Sequence, residues 1–154
     1  MELQQQRINL ILIIAISIGV VATAYAANSL SVGNTATITA VAPNLFMLTG
    51  VASTTACSAS TGTYTETGLT ISWGSVVQGS TANQYVCLEN TGGQHTLTVT
   101  NNLPAADGTL TATIGGNPAT GQIIGHNAFA LIKFTWVVDP GATPSTVSFG
   151  ISVS

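Results

Sequence analysis

The sequence predicts an all-β fold: a single two-sheet antiparallel sandwich, immunoglobulin-like or jelly-roll-like, preceded by an N-terminal hydrophobic helix. Three observations predict it. Beyond residue 27, apolar residues recur with period two. Clusters of Gly, Asn, Asp and Pro break that alternation at short intervals. No segment beyond residue 27 carries an apolar stripe of period 3.6.

The chain opens with a polar start, MELQQQR, that carries Arg7. Ile8 to Ala22 is an apolar run, and Ala24-Tyr25-Ala26 follows as a small-x-small pattern. Residues 1–26 therefore read as a secretory signal, cut between Ala26 and Ala27. The run is shorter than the roughly 20 residues that span a bilayer. Extended to Ala27 it reaches that length, so a retained membrane or filament helix over residues 8–27 is the alternative. Residues 27–154 form the expected β domain.

Within that domain the alternation is strict in Thr35–Ala40, Leu69–Trp73, Leu97–Val99, Leu110–Ile114 and Val147–Val153. Alternation buries one face and wets the other, as in antiparallel sheets. Ala128–Val138 is apolar on both faces except at Lys133 and Thr135, so it is expected to be a central strand or one covered on both sides. Asn90-Thr91-Gly92-Gly93, Asp107-Gly108, Gly115-Gly116-Asn117-Pro118 and Asp139-Pro140-Gly141 supply the turns. Val51–Thr67, rich in Ser, Thr and Gly, reads as a long connection.

Composition narrows the function classes. Charged residues are 5% of the 154, where a soluble domain has about a quarter. The net charge is −3, with Arg7 and Lys133 the only cations besides histidine. Nucleic-acid binding needs clustered Lys and Arg and is not expected. The polar surface must come from uncharged side chains, which suits an exported module covered by copies of itself. Cys57 and Cys87 both fall in the exported part, and an oxidising compartment favours one disulfide between them. Two free thiols, or a metal site without any CxxC neighbour, are the lesser alternatives. Val86 and Leu88 want the core, which would turn Cys87 to the outer face of its sheet.

Catalytic chemistry has little to stand on, and the sequence does not predict an enzyme or a cofactor. His95 and His126 are the only candidate neutral-pH bases and read as an exposed and a loop residue. Glu66 and Glu89 form a nominal acid pair but read as surface charges. Asp107 and Asp139 stand beside Gly or Pro-Gly and read as turn formers, with a weak calcium site as the sharper alternative. Trp73 and Trp136 fall in strands and read as core. No Asn-x-Ser/Thr acceptor occurs.

The stretch Thr70–Pro104, TISWGSVVQGSTANQYVCLENTGGQHTLTVTNNLP, resembles a module of exported archaeal surface proteins. Its marks are the Ile71-Ser72-Trp73-Gly74 strand, the Gly79-Ser80 turn, Glu89-Asn90-Thr91-Gly92 and a Thr/Leu-alternating strand. The layout is similar to TasA/camelysin biofilm-fibre proteins and archaeal bundling-pilus subunits. A second resemblance is to archaeal type IV pilins, from which MELQQQR departs by lacking a basic leader that ends in Gly. These resemblances imply a structural subunit of an extracellular filament whose partner is itself. A membrane-anchored, monomeric cell-surface binding module and a type IV pilin-like subunit with a retained helix are the alternatives.

Ala27–Ala42 is uncharged, with Gly33 as a hinge. Thr35, Ala36, Ile38 and Ala40 make it a candidate polymerisation strand, added to a neighbour's sheet. The other reading is that it forms the first strand of its own sandwich.

Overall fold

A computed structural model describes residues 34–40, 42, 44–66, 69–143 and 145–154. The leader, the alternative helix and the cleavage residues Ala24, Ala26 and Ala27 lie outside the described residues. Among the described residues there are eleven strands. In chain order they are β1 (Asn34–Ala40), β2 (Leu45–Thr49), β3 (Leu69–Gly74), β4 (Thr81–Asn90), β5 (His95–Thr96) and β6 (Val99–Asn101). After a 3-10 turn at Ala105–Asp107 come β7 (Gly108–Ile114), β8 (Asn117–Pro118), β9 (Ile123–Ile124), β10 (Ala128–Val138) and β11 (Ser148–Val153). No helix among the described residues is long and apolar enough to cross a membrane.

The strands form a four-stranded sheet, β3-β1-β11-β6, and a five-stranded sheet, β2-β4-β10-β7-β8, with β5-β9 as a small third pair. Period two decides which face goes inside. Ala36, Ile38 and Ala40 of β1 are buried while Thr37 is exposed. Ile132, Phe134, Trp136 and Val138 of β10 are fully buried. The sheets meet in an aromatic cluster. The Trp136 ring lies edge-on to Trp73 of β3 and to Phe149 of β11, with centroids 5.7 Å apart in both cases. Such pairs contribute about 0.5–1.5 kcal/mol each beyond the area they bury. Trp136 Nε1 donates to the Asp107 carbonyl at 3.0 Å, so the one polar atom of this buried ring is satisfied.

Three features depart from the sequence reading. First, β1 runs parallel to β11, so the sandwich is not wholly antiparallel. A parallel pair needs a long crossover, and the first and last described strands have nearly the whole domain between them. Second, the Leu97–Val99 strand is interrupted. Leu97 is buried and bonds to the backbone of Gly121 and Gln122, whereas Thr98 and Ser154 exchange bonds across to β11. The chain changes partner there, so one alternating run becomes β5 and β6. Third, β2 carries no strict alternation in LFMLT and was not expected.

β10 is central, between β4 and β7. The connection after β2 lies over part of its outer face, where Tyr64 meets Phe129 edge-on at 5.6 Å. A disulfide joins Cys57 of that connection to Cys87 of β4, with Cα atoms 5.5 Å apart. Cys87 alternates with the core residues Val86 and Leu88, so the bridge sits on the outer face of the five-stranded sheet.

Candidate functional site: the open flank of the sandwich

A sandwich of two open sheets has two flanks, and here they differ. On one flank the edge strands are β2 and β3. The connection after β2 doubles back along it, and Met47 and Thr65 exchange both backbone bonds at 2.8 and 2.9 Å. Ala40 N–H donates to the Glu66 carbonyl at 3.0 Å. Gly62 lies so close that an added Cβ would stand 2.9 Å from Leu48 Cδ2. Leu45 and Met47 behind this seal are fully buried.

On the other flank the edge elements are short: β6 has 3 residues and β8 has 2. Val99, Leu103, Leu110, Ala112 and Ile114 pack against the core there but stay only half-buried. Between β6 and β7 runs a groove of about 490 Å³, lined by Val99, Asn101, Leu110, Ala112, Pro118 and Thr120 together with Thr111, Thr113 and Gly116. Among the described residues no ionisable side chain lines it.

Backbone direction follows from the ladder. Thr98 bonds to Ser154, and Asn102 N–H donates to Gly150 at 3.1 Å, so even-numbered residues face β11. By alternation the N–H and C=O of Val99 and Asn101 face away from β11. Val99 is partnered by one side chain: its N–H donates to Thr120 Oγ1 at 3.0 Å. Among the described residues nothing pairs with the outward N–H and C=O of Asn101. Opposite it, Ala119 N–H donates to the Ala112 carbonyl at 2.9 Å, and β8 pairs only with Thr113 and Ile114. Leu110 shares the parity of Ala112 and lies beyond the end of β8, so its backbone also faces the groove. Two edges that no described residue pairs with, one from each sheet, thus flank a half-exposed apolar floor. An extended segment laid there would find main-chain hydrogen-bonding groups along the edge and apolar surface below.

The sequence-derived candidates are placed as follows. Thr35, Ala36, Ile38 and Ala40 lie in β1, paired on both sides by β3 and β11. His95 is half-buried opposite Ile124 in β5 rather than exposed, because β9 covers it. His126 is exposed, and both ring nitrogens are used: Nδ1 donates to the Gly92 carbonyl and Asn127 Nδ2 donates to Nε2. Asp139 Oδ1 accepts from Gly141 N–H, a turn role. Asp107 closes the 3-10 turn, and Gly108 next to it has φ +123°, where an added Cβ would stand 2.1 Å from the Val137 carbonyl oxygen. Trp73 and Trp136 are core. Among the described residues no three His, Cys, Asp or Glu side chains group as a metal site.

Sequence reasoning missed the groove. Its one signal was the alternating Leu110–Ile114 run, whose partners depend on pairings that the sequence does not specify. It also missed Asn90, which is buried and donates from Nδ2 to the carbonyls of Gly93, Ile124 and Gly125 at 2.6, 3.1 and 3.0 Å. No protein-family model and no curated protein matches the chain.

Proposed function

We propose that the chain is a structural subunit of an extracellular filament, and that copies join by strand addition at the open flank. One observation carries the reading. Among the described residues, the core is left half-exposed along a groove with no ionisable lining, between two strand edges without a ladder partner. An uncharged contact has no ions to desolvate, while main-chain groups and Thr hydroxyls pair at low cost. The sparse charge of the whole chain, 5%, supports the same reading, and the disulfide fits an oxidising compartment. The candidate donor from the sequence is Ala27–Ala42. Its β1 part holds the middle of its own sheet, and a polymer that keeps β1 in place can still join copies at the open edges. A polymer that donates β1 must instead open the place between β3 and β11. We favour the edge contact, because it breaks no existing ladder.

The test is electron microscopy of the concentrated extracellular protein with two variants at one position. Asn101→Ala keeps the edge N–H and should still form filaments. Asn101→Pro removes that donor, which an edge strand tolerates, and should leave a folded monomer. Filaments from the Asn101→Pro protein would overturn the edge contact. A wild-type protein that stays monomeric on concentration would overturn the filament reading itself.

A further inference from the structure

We infer that the outer face of the five-stranded sheet carries a binding pocket for an organic ammonium group, with Glu89 as its counter-ion and Phe46 and Tyr64 as its aromatic walls. The pocket is separate from the open flank and does not depend on polymerisation. It occupies about 290 Å³ between the sheet and the disulfide-pinned connection, lined by Phe46, Ala59, Gly62, Tyr64, Glu89 and Thr91.

Sheet register builds it. Phe46 of β2 stands opposite Glu89 of β4, and Glu89 stands opposite Phe129 of β10. A carboxylate is therefore flanked by a phenyl ring on each neighbouring strand, at cross-strand spacings of about 5 Å. Tyr64 comes over from the connection and packs edge-on against Phe129. Its hydroxyl donates to the Ser58 carbonyl at 3.1 Å, which fixes the ring. Burial pushes the Tyr64 hydroxyl above its usual range. The Thr61 hydrogen bond opposes this, the nearby Glu89 charge adds to it, and the Ser58 bond opposes it again. Glu89 and Tyr64 both line the pocket.

Among the described residues no Lys or Arg pairs with Glu89, and Lys133 is the only one present. Lys133 stands opposite Tyr85, four residues along β10 from Phe129. A half-buried carboxylate beside aromatic rings favours a ligand that brings positive charge and apolar surface together. An alkylammonium does so, with the charge on Glu89 and the methyl or methylene groups on the rings. A simple metal cation would find one carboxylate and no further charged ligand.

The ammonium group has two possible sources, a free amine or the lysine of another copy. The experiment is titration of the full disulfide-bonded protein with tetramethylammonium and with n-butylamine, followed by NMR of the Phe46, Tyr64 and Phe129 rings. Both probes should saturate and shift those rings. Glu89→Gln should weaken both at least tenfold. Phe46→Leu should weaken tetramethylammonium more than butylamine, because the quaternary cation relies on the ring face. Comparing the Phe46 and Tyr64 ring shifts of concentrated wild-type and Lys133→Gln protein without added probe assigns the source: shifts that Lys133→Gln loses point to a neighbour's lysine, equal spectra to a free amine. Absence of saturable ring shifts would overturn the site, as would probe binding equal in wild type and Glu89→Gln. A neutral methyl glycoside that binds more tightly than either cation would also overturn it. Thermal unfolding of both variants near that of wild type keeps these outcomes free of folding defects.

Discussion

The two flanks of this sandwich solve the same problem differently. Each has a sheet edge and the side of a shared core to cover. The β2/β3 flank is sealed by a returning connection, a backbone bridge at Met47–Thr65, a close approach at Gly62 and a covalent staple to β4. The β6/β7 flank has short edge elements and one side-chain cap, Thr120. The first leaves Leu45 and Met47 dry, whereas the second leaves Leu110 and Val99 half-wet. Short edges discourage indiscriminate pairing. They do not close a core, so the open flank is where a partner, as proposed, would bury most new apolar surface.

Removing the seal is the largest perturbation. Cys57→Ala/Cys87→Ala should cost about 3–4 kcal/mol, the loop-entropy value for a 30-residue closure. Limited proteolysis should then cut first within residues 50–66. A double variant as stable as the parent would mean the connection holds itself down without the staple.

Next comes a matched pair of truncations. Leu45→Ala at the sealed flank should cost about 3 kcal/mol in denaturant unfolding, because a fully buried leucine leaves a cavity. Leu110→Ala at the open flank should cost about 1 kcal/mol, since water and small movements fill the space. Equal costs would erase the distinction between the flanks. The smallest effect is expected from Thr120→Val, about 0.5–1 kcal/mol, through the hydrogen bond lost to Val99. Its sharper consequence is faster hydrogen exchange at the Val99 amide, with the sealed flank unchanged.

How much of this was legible in the sequence depends on whether the physics was local. β1, β3, β7 and β11 announce themselves because each has one wet face, so Thr35–Ala40 or Leu110–Ile114 alternate cleanly. The turns at Asp107-Gly108 and Asp139-Pro140-Gly141 were readable for the same reason: their chemistry lies within a few residues. β2 was not readable, because Phe46 and Leu48 lie under the connection and the run is apolar on both faces. The split at Leu97 was hidden too. Leu97 and Val99 look like one strand until the chain changes partner between them. The groove and the Phe46–Glu89–Phe129 row are products of register across three or four strands. The sequence shows Glu89 only as an isolated acid. The disulfide and its outer-face position followed from the two cysteines and the Val86-Cys87-Leu88 pattern. The parallel β1–β11 pair did not, since nothing local distinguishes parallel from antiparallel partners at such separation.

Amide hydrogen exchange at Asn101 and Leu110, in monomer and in assembled protein, tests the central claim most directly. The account predicts fast exchange at both amides in the monomer, as befits free edges, and slow exchange of at least one once copies assemble. The amides of Met47 and Thr65 should be slow in both states. Assembly that leaves Asn101 and Leu110 exchanging as fast as before would contradict the account, because the copies would then be joined somewhere other than the open flank.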